Sequence, residues 1–187
     1  MTTRTIDTLT IAPESRVTEW ERHLRAELFK AKCIPLDGTS FRGVQTNDDL
    51  GRIGVTSVRV SSHVLEHDPE DVGPEGDVLV SFLVEGEAVI GQAGRWLHLS
   101  PGDVVLCPSG VAFTYVSTQP IHALVLRIPQ ALFRLVHEAP LERPLAIRRQ
   151  GGARRFDQHA LVEDLARWLS SGPRDGAAQM QGRVIGI

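Results

Sequence analysis

Apolar and polar positions change their rhythm along this chain. Ile6 to Ile11 alternates like a short strand. From Glu14 to Lys30 the apolar residues Val17, Trp20, Leu24 and Leu28 recur at the spacing of an amphipathic helix, and Pro35 and Gly38 prevent its continuation. The stretch from Gly54 to Ile128 is strand-like almost throughout. Alternation is blurred between Val55 and Ser62, while Val78 to Val84 is nearly all apolar, as expected for a strand buried on both faces. Ala88 to Gln92, Arg95 to Leu99, Val104 to Cys107, Val111 to Ser117 and Ile121 to Ile128 are shorter apolar runs between Gly and Pro turns. Strands of this length at a spacing of about ten residues predict an antiparallel sandwich or barrel.

The tail changes back to helical spacing. Pro129 suits a first helical turn, and Leu132, Phe133 and Val136 make one face before Ala139-Pro140. Leu141 to Phe156 reads as a linker carrying Arg143, Arg148, Arg149, Arg154 and Arg155. Asp157 is a suitable N-cap for a helix with the stripe Leu161, Leu165, Trp168 and Leu169, which Gly172-Pro173 ends. The expected organisation is an N-terminal arm and helix over 1–47, a barrel with its following helix over 48–137, and a linker with a C-terminal helix over 138–187.

Composition narrows the function classes. The 187 residues carry a net charge of -3, which gives no electrostatic case for nucleic-acid binding by these residues alone. Met1 to Thr10 has no apolar core of a secretory signal, and no apolar run approaches the roughly 20 residues of a membrane span. The expectation is a cytoplasmic protein without membrane contact. Cys33 and Cys107, the only cysteines, are expected as reduced core thiols.

One motif stands out. Pro101-Gly102-Asp103 makes a tight turn, Val104 to Cys107 a strand, and Pro108-Ser109-Gly110 a second turn before Phe113. The spacing Gly102, Pro108, Gly110, Phe113 is similar to the second motif of the cupin β-barrels, with Phe113 in place of the metal-binding histidine. The resemblance implies a cupin-like double-stranded β-helix, or jelly-roll barrel, without the usual metal chemistry. If Phe113 faces the interior, strand periodicity puts Val111 and Tyr115 on the same side. Phe82 and Arg127 on neighbouring strands could face in as well. The candidate effector pocket is therefore Phe82, Val111, Phe113, Tyr115 and Arg127, and the aromatics would otherwise simply fill a small barrel. A buried Arg127 would need an anion such as an effector carboxylate; an outward, solvated Arg127 would not.

Enzyme chemistry has weaker support. His63 and His67 share a strand face, with Glu75 and Asp77 further on, but lack the His-X-His spacing of a metal cupin. They read as a surface pair near an acidic loop, with a metal site as the alternative. Ser109 has no partnered histidine, and Cys107 fits core packing. No catalytic residue, metal or cofactor is expected. Trp96 is expected to be partly exposed, with Leu97 and Leu99 inside.

The order of elements resembles the N-terminal effector-binding domain of arabinose-regulator (AraC) type transcription factors. The residues that carry this are Trp20 in the first helix, Cys33-Ile-Pro-Leu36 followed by Phe41-Arg-Gly43, and Leu50-Gly-Arg-Ile-Gly54. Val84-Glu-Gly86 through Gln92-Ala-Gly94-Arg95, Leu99-Ser-Pro-Gly-Asp103 and Leu126-Arg-Ile-Pro129 complete the pattern. The resemblance covers roughly residues 15–137. It implies a non-enzymatic sensor that binds a small-molecule effector and forms a homodimer through its C-terminal helix. The family's helix-turn-helix units do not fit before Ile187, so DNA contact is expected only through a domain absent here. The alternative is a small metal-dependent cupin enzyme, a dioxygenase or isomerase.

Overall fold

The computed structural model describes residues 3–69, 76–135, 141, 144–147, 164 and 167. In chain order these give β1 (Arg4–Asp7), α1 (Arg16–Glu27), β2 (Lys32–Pro35), β3 (Gly43–Leu50), β4 (Ile53–Val60) and β5 (His63–His67). They continue as β6 (Val78–Glu85), β7 (Ala88–Gln92), β8 (Arg95–Leu99), β9 (Val104–Pro108), β10 (Phe113–Ser117), β11 (Ile121–Ile128), α2 (Gln130–Phe133) and β12 (Leu145–Ile147). The strands form two antiparallel sheets. The larger has the order β1-β3-β4-β11-β6-β9-β12 and the smaller β2-β5-β10-β7-β8. The chain passes between them repeatedly, giving the cupin-like jelly roll with its N-terminal helix.

Turn chemistry sets this topology. Ala93 and Gly94 both adopt positive φ, 50° and 72°, the conformation that closes a two-residue hairpin between β7 and β8. Gly102 (φ 93°) follows Pro101 in the turn before β9, where the Asp103 N–H donates to the Ser100 carbonyl at 2.9 Å. That is the turn the Pro-Gly-Asp sequence predicts.

The larger sheet is buried on both sides. Leu79, Leu83, Val105, Ile121 and Val125 face the smaller sheet. Val78, Val80, Phe82, Val104, Leu124 and Leu126 form a second apolar cluster on the opposite face, with Leu132 and Phe133 of α2 among its members. This is why Val78 to Val84 has no alternation to read.

Several boundaries differ from the sequence expectation. The first strand ends at Asp7, whose carboxylate accepts the Leu9 N–H at 2.9 Å and turns the chain into a 3-10 turn. α1 starts at Arg16, after a 3-10 turn opened by Pro13. β2 and the first half of β3 lie within the segment expected as arm and helix, 1–47, and the two strands join different sheets. β10 starts at Phe113, two residues later than expected. The expected linker contains β12, which pairs with Leu106, Val105 and Val104 of β9. The stripe Leu161, Leu165, Trp168 and Leu169 lies outside the described residues. Asp164 and Arg167, described within that stretch, are helical and ion-paired at 2.9 Å.

Candidate functional site

Register decides which side chains meet between the sheets. On the smaller sheet Cys33, Leu65, Tyr115, Ile90 and Leu97 lie in one row, and His67, Phe113 and Gln92 in the next. On the larger sheet, Ile121, Ala123 and Val125 of β11 face inward with Leu79 and Ser81 of β6 and Val105 and Cys107 of β9. α1 lies across the space with Trp20, Leu24 and Leu28, the stripe predicted from spacing. Together they line a cavity of about 80 Å³.

Five lining side chains carry a polar group: Trp20, His63, Ser81, Cys107 and Tyr115. The His63 ring is 1% exposed and its Nδ1–H donates to the Ser61 carbonyl at 2.8 Å. Burial pushes its pKa below 6.5, so the ring is neutral at neutral pH and its Nε2 keeps a lone pair. His63 stacks on Tyr115 with ring centres 6.1 Å apart, and burial raises the Tyr115 phenol above its ordinary value. The Cys107 thiol is pushed up to about 12 by burial, so no thiolate nucleophile forms at neutral pH. The Trp20 indole Nε1–H is buried without a hydrogen-bond partner.

The predicted pocket residues separate. Phe113 and Tyr115 line the cavity. Phe82 does not: it pairs with Leu124 in register and belongs to the cluster on the far face of the larger sheet. A strand apolar on both sides left its parity unread. Val111 sits in the loop before β10, where its carbonyl accepts an amide N–H of Gln92 at 2.8 Å, so it does not share the face of Phe113 and Tyr115. Arg127 continues the inward parity of β11 but reaches Asp77 at 3.8 Å, partly exposed, and is not a lining residue.

The two histidines are not a surface pair. Both are buried, and they do different things. His63 lines the cavity; His67 is 3% exposed, with Nδ1 2.6 Å from the Lys30 carbonyl and Nε2 2.8 Å from that of Ser109. Both partners are carbonyl oxygens, which only accept. Phe29 and Phe113 pack against this ring with centres 5.4 and 4.7 Å away. Among the described residues no group of three His, Cys, Asp or Glu side chains comes together as a metal would require.

Sequence reasoning missed His63 and the buried polar group under α1. There Gln45 and Thr56 donate to Asn47 Oδ1 at 2.8 and 2.9 Å, and Asn47 Nδ2 donates to His23 Nε2 at 2.9 Å. The signal for His63 was its parity with Leu65 and His67 on one strand.

Comparison with known proteins agrees with this architecture. The family model of the AraC-binding-like domain matches residues 20–184. A solved structure of the AraC-like transcriptional activator CuxR is similar over 99% of this chain and 69% of its own, with a TM-score of 0.74 and 14% identity; that likeness concerns the fold. Smaller overlaps occur with the EutQ protein of Clostridium difficile (13% identity, TM-score 0.40, 52% of this chain and 75% of that one). Another is with the Cupin_2 domain of an XRE family transcriptional regulator from Enterobacter cloacae (19% identity, TM-score 0.39, 46% and 95%). No curated protein matches the sequence.

Proposed function

The chain belongs to the AraC-binding-like domain family, and from that premise we propose that it is the sensing part of a transcriptional regulator. It holds a small-molecule effector between its two sheets and performs no chemistry on it. The observation that carries this reading is the cavity itself, walled by both sheets and α1 and lined by Phe113 and Tyr115. Its polar groups are a neutral imidazole, a protonated thiol and unionised hydroxyls, a set suited to recognition and poor in nucleophiles.

α1 forms one wall of the cavity, so an effector contacts it directly. Occupancy would then bias how α1 seats and, through it, how a DNA-binding domain outside these residues is presented. The domain works as a homodimer through the stripe Leu161, Leu165, Trp168 and Leu169. Light scattering of wild type and Leu165→Glu tests this: an unchanged mass removes the dimer. No helix among the described residues is long and apolar enough to cross a membrane.

The test of the central reading uses a filled cavity. Ala123 is 4% exposed and lines the space, so Ala123→Phe occupies it from within. A compound that raises the melting temperature of wild type should leave that of Ala123→Phe unchanged. Equal shifts in both proteins would place binding elsewhere. Stoichiometric iron, manganese or zinc in the purified protein would instead favour a metal-dependent cupin enzyme.

A further inference from the structure

We propose, resting on the reading of the cavity as the effector site, that its ligand is a compact hydrocarbon without charged or hydrogen-bonding groups, no larger than one ring, and that Ala123 sets the size admitted. The surface facing the cavity is almost wholly apolar. The polar atoms of its lining side chains do not change this. Trp20 Nε1 is occluded, so the indole meets the space with carbon. His63 commits Nδ1 to the Ser61 carbonyl at 2.8 Å, and its ring stacks on Tyr115. Among the described residues no Lys, Arg, Asp or Glu lines the cavity. A carboxylate, phosphate or ammonium ligand would lose its hydration there without meeting an opposite charge. A hydroxyl or amide would lose its water hydrogen bonds without replacing them. A hydrocarbon leaves only unfavourable hydration behind.

Short side chains make the room. Protein interiors are close-packed and hold few voids larger than a water molecule. Here the adjacent strands β11, β6 and β9 of the larger sheet turn Ala123, Ser81 and Cys107 toward the cavity, among Leu, Ile and Val neighbours. Ala123 lies opposite Val58 of β4 and Leu83 of β6 in register, and Ser81 opposite Val125 of β11 and Val105 of β9. Ala123 is therefore the point on β11 where a larger apolar residue would close the space from below. At about 80 Å³ the space is roughly half of the ~150 Å³ apolar cavity that stays dry and takes up benzene or xenon. A single small ring is the upper limit that this volume sets.

The test is calorimetric titration of the full chain with four probes: benzene, phenol, benzoate and xylose. Phenol adds one hydroxyl to the ring, benzoate adds a charge, and xylose multiplies hydroxyls. Benzene should bind, phenol at least about tenfold more weakly, and benzoate and xylose should be silent. Ala123→Val should weaken benzene by about tenfold, and Ala123→Phe should abolish its binding. A cooperative melt shows that each variant is folded; where Ala123→Phe lacks one, Ala123→Val carries the location, and the wild-type ranking needs neither. Phenol, benzoate or xylose binding as tightly as benzene would overturn the ligand class, and loss of that binding in Ala123→Phe would leave the effector site standing. Benzene affinity unchanged in both variants would overturn the role of Ala123 and the location. Silence from all four probes would remove the effector-site reading together with the ligand class.

Discussion

The six-membered ring of Trp20 occupies the space over Gly43 that a side chain would take. A Cβ on Gly43 would lie 2.7 Å from the ring's Cε3 and Cζ3. The Gly43 N–H is also fixed, donating to the Thr8 hydroxyl at 2.8 Å. The seat of α1 on the barrel, and with it one wall of the cavity, therefore depends on a bare backbone at this point of β3.

A second Trp–Gly pair makes the consequence measurable. On the outer face of the smaller sheet, a Cβ on Gly91 would come within 2.6 Å of Trp96 Cζ3. Trp20 is 1% exposed and Trp96 65%, so Trp96 can swing into solvent and Trp20 cannot. Gly43→Ala should cost about 1–3 kcal/mol by overpacking, whereas Gly91→Ala should stay within about 1 kcal/mol of wild type because a stiffer unfolded chain offsets the displaced ring. Urea unfolding of the two variants checks this. Equal losses would show that contact distance alone, without the freedom to relax, sets the cost.

Much of this arrangement could be read before the structure. The stripe Val17, Trp20, Leu24, Leu28 needs only helical spacing, and Phe113 with Tyr115 needs only strand parity. Phe82 could not be read, because Ser81 is the one polar residue in its strand before Glu85 and both faces are covered. Val111 was misplaced because the loop after Gly110 keeps an apolar residue outside the strand. The burial of His63 and His67 was also hidden. Their partners are backbone carbonyls of Ser61, Lys30 and Ser109, which no side-chain pattern reveals.

The turn between β9 and β10 is pinned by two side chains from the strands beside β10. Gln92 donates to the carbonyls of Pro108 and Val111 at 3.0 and 2.8 Å, and His67 Nε2 lies 2.8 Å from that of Ser109. Gln92→Leu and His67→Leu should each cost about 1–3 kcal/mol, since buried carbonyls lose their donors. The double variant should cost less than the two single losses together, because the turn is already free after the first. Strict additivity in equilibrium unfolding would show that the two tethers act on separate parts of the turn.

Thiol chemistry gives a simple probe of the core between the sheets, which holds both cysteines. Cys33 and Cys107 are buried and unpaired, and burial pushes each thiol up to about 12, with the Glu21 charge adding to the effect at Cys33. Neither should react with a thiol-specific disulfide reagent in the folded protein at about pH 8, and both should react at once in denaturant. Rapid modification of Cys107 without denaturant would mean that the cavity opens readily, since this residue lines it.

Acid should weaken the fold before the carboxylates titrate. Burial lowers the pKa of His23, His63 and His122 below the ordinary 6.5, with the Arg59 charge adding to the effect at His122. Two of these rings are held by bonds that require the neutral form: His23 Nε2 accepts from Asn47, and Arg59 donates to His122 Nδ1 at 3.3 Å. The unfolded chain takes up these protons near 6.5, while the folded chain resists to lower pH. Between the two values the unfolded state binds more protons, so stability rises with pH there. The contribution is complete above 6.5 and is lost as pH falls through the folded values, by about 1.4 kcal/mol for each unit of separation. Urea midpoints should therefore fall between about pH 7.5 and pH 5.5 at constant slope. His63→Gln, which can still donate to the Ser61 carbonyl, should remove part of that fall. A midpoint that holds or rises over this interval would mean that these rings are already charged in the native protein, and the neutral His63 ring lining the cavity would be lost with them.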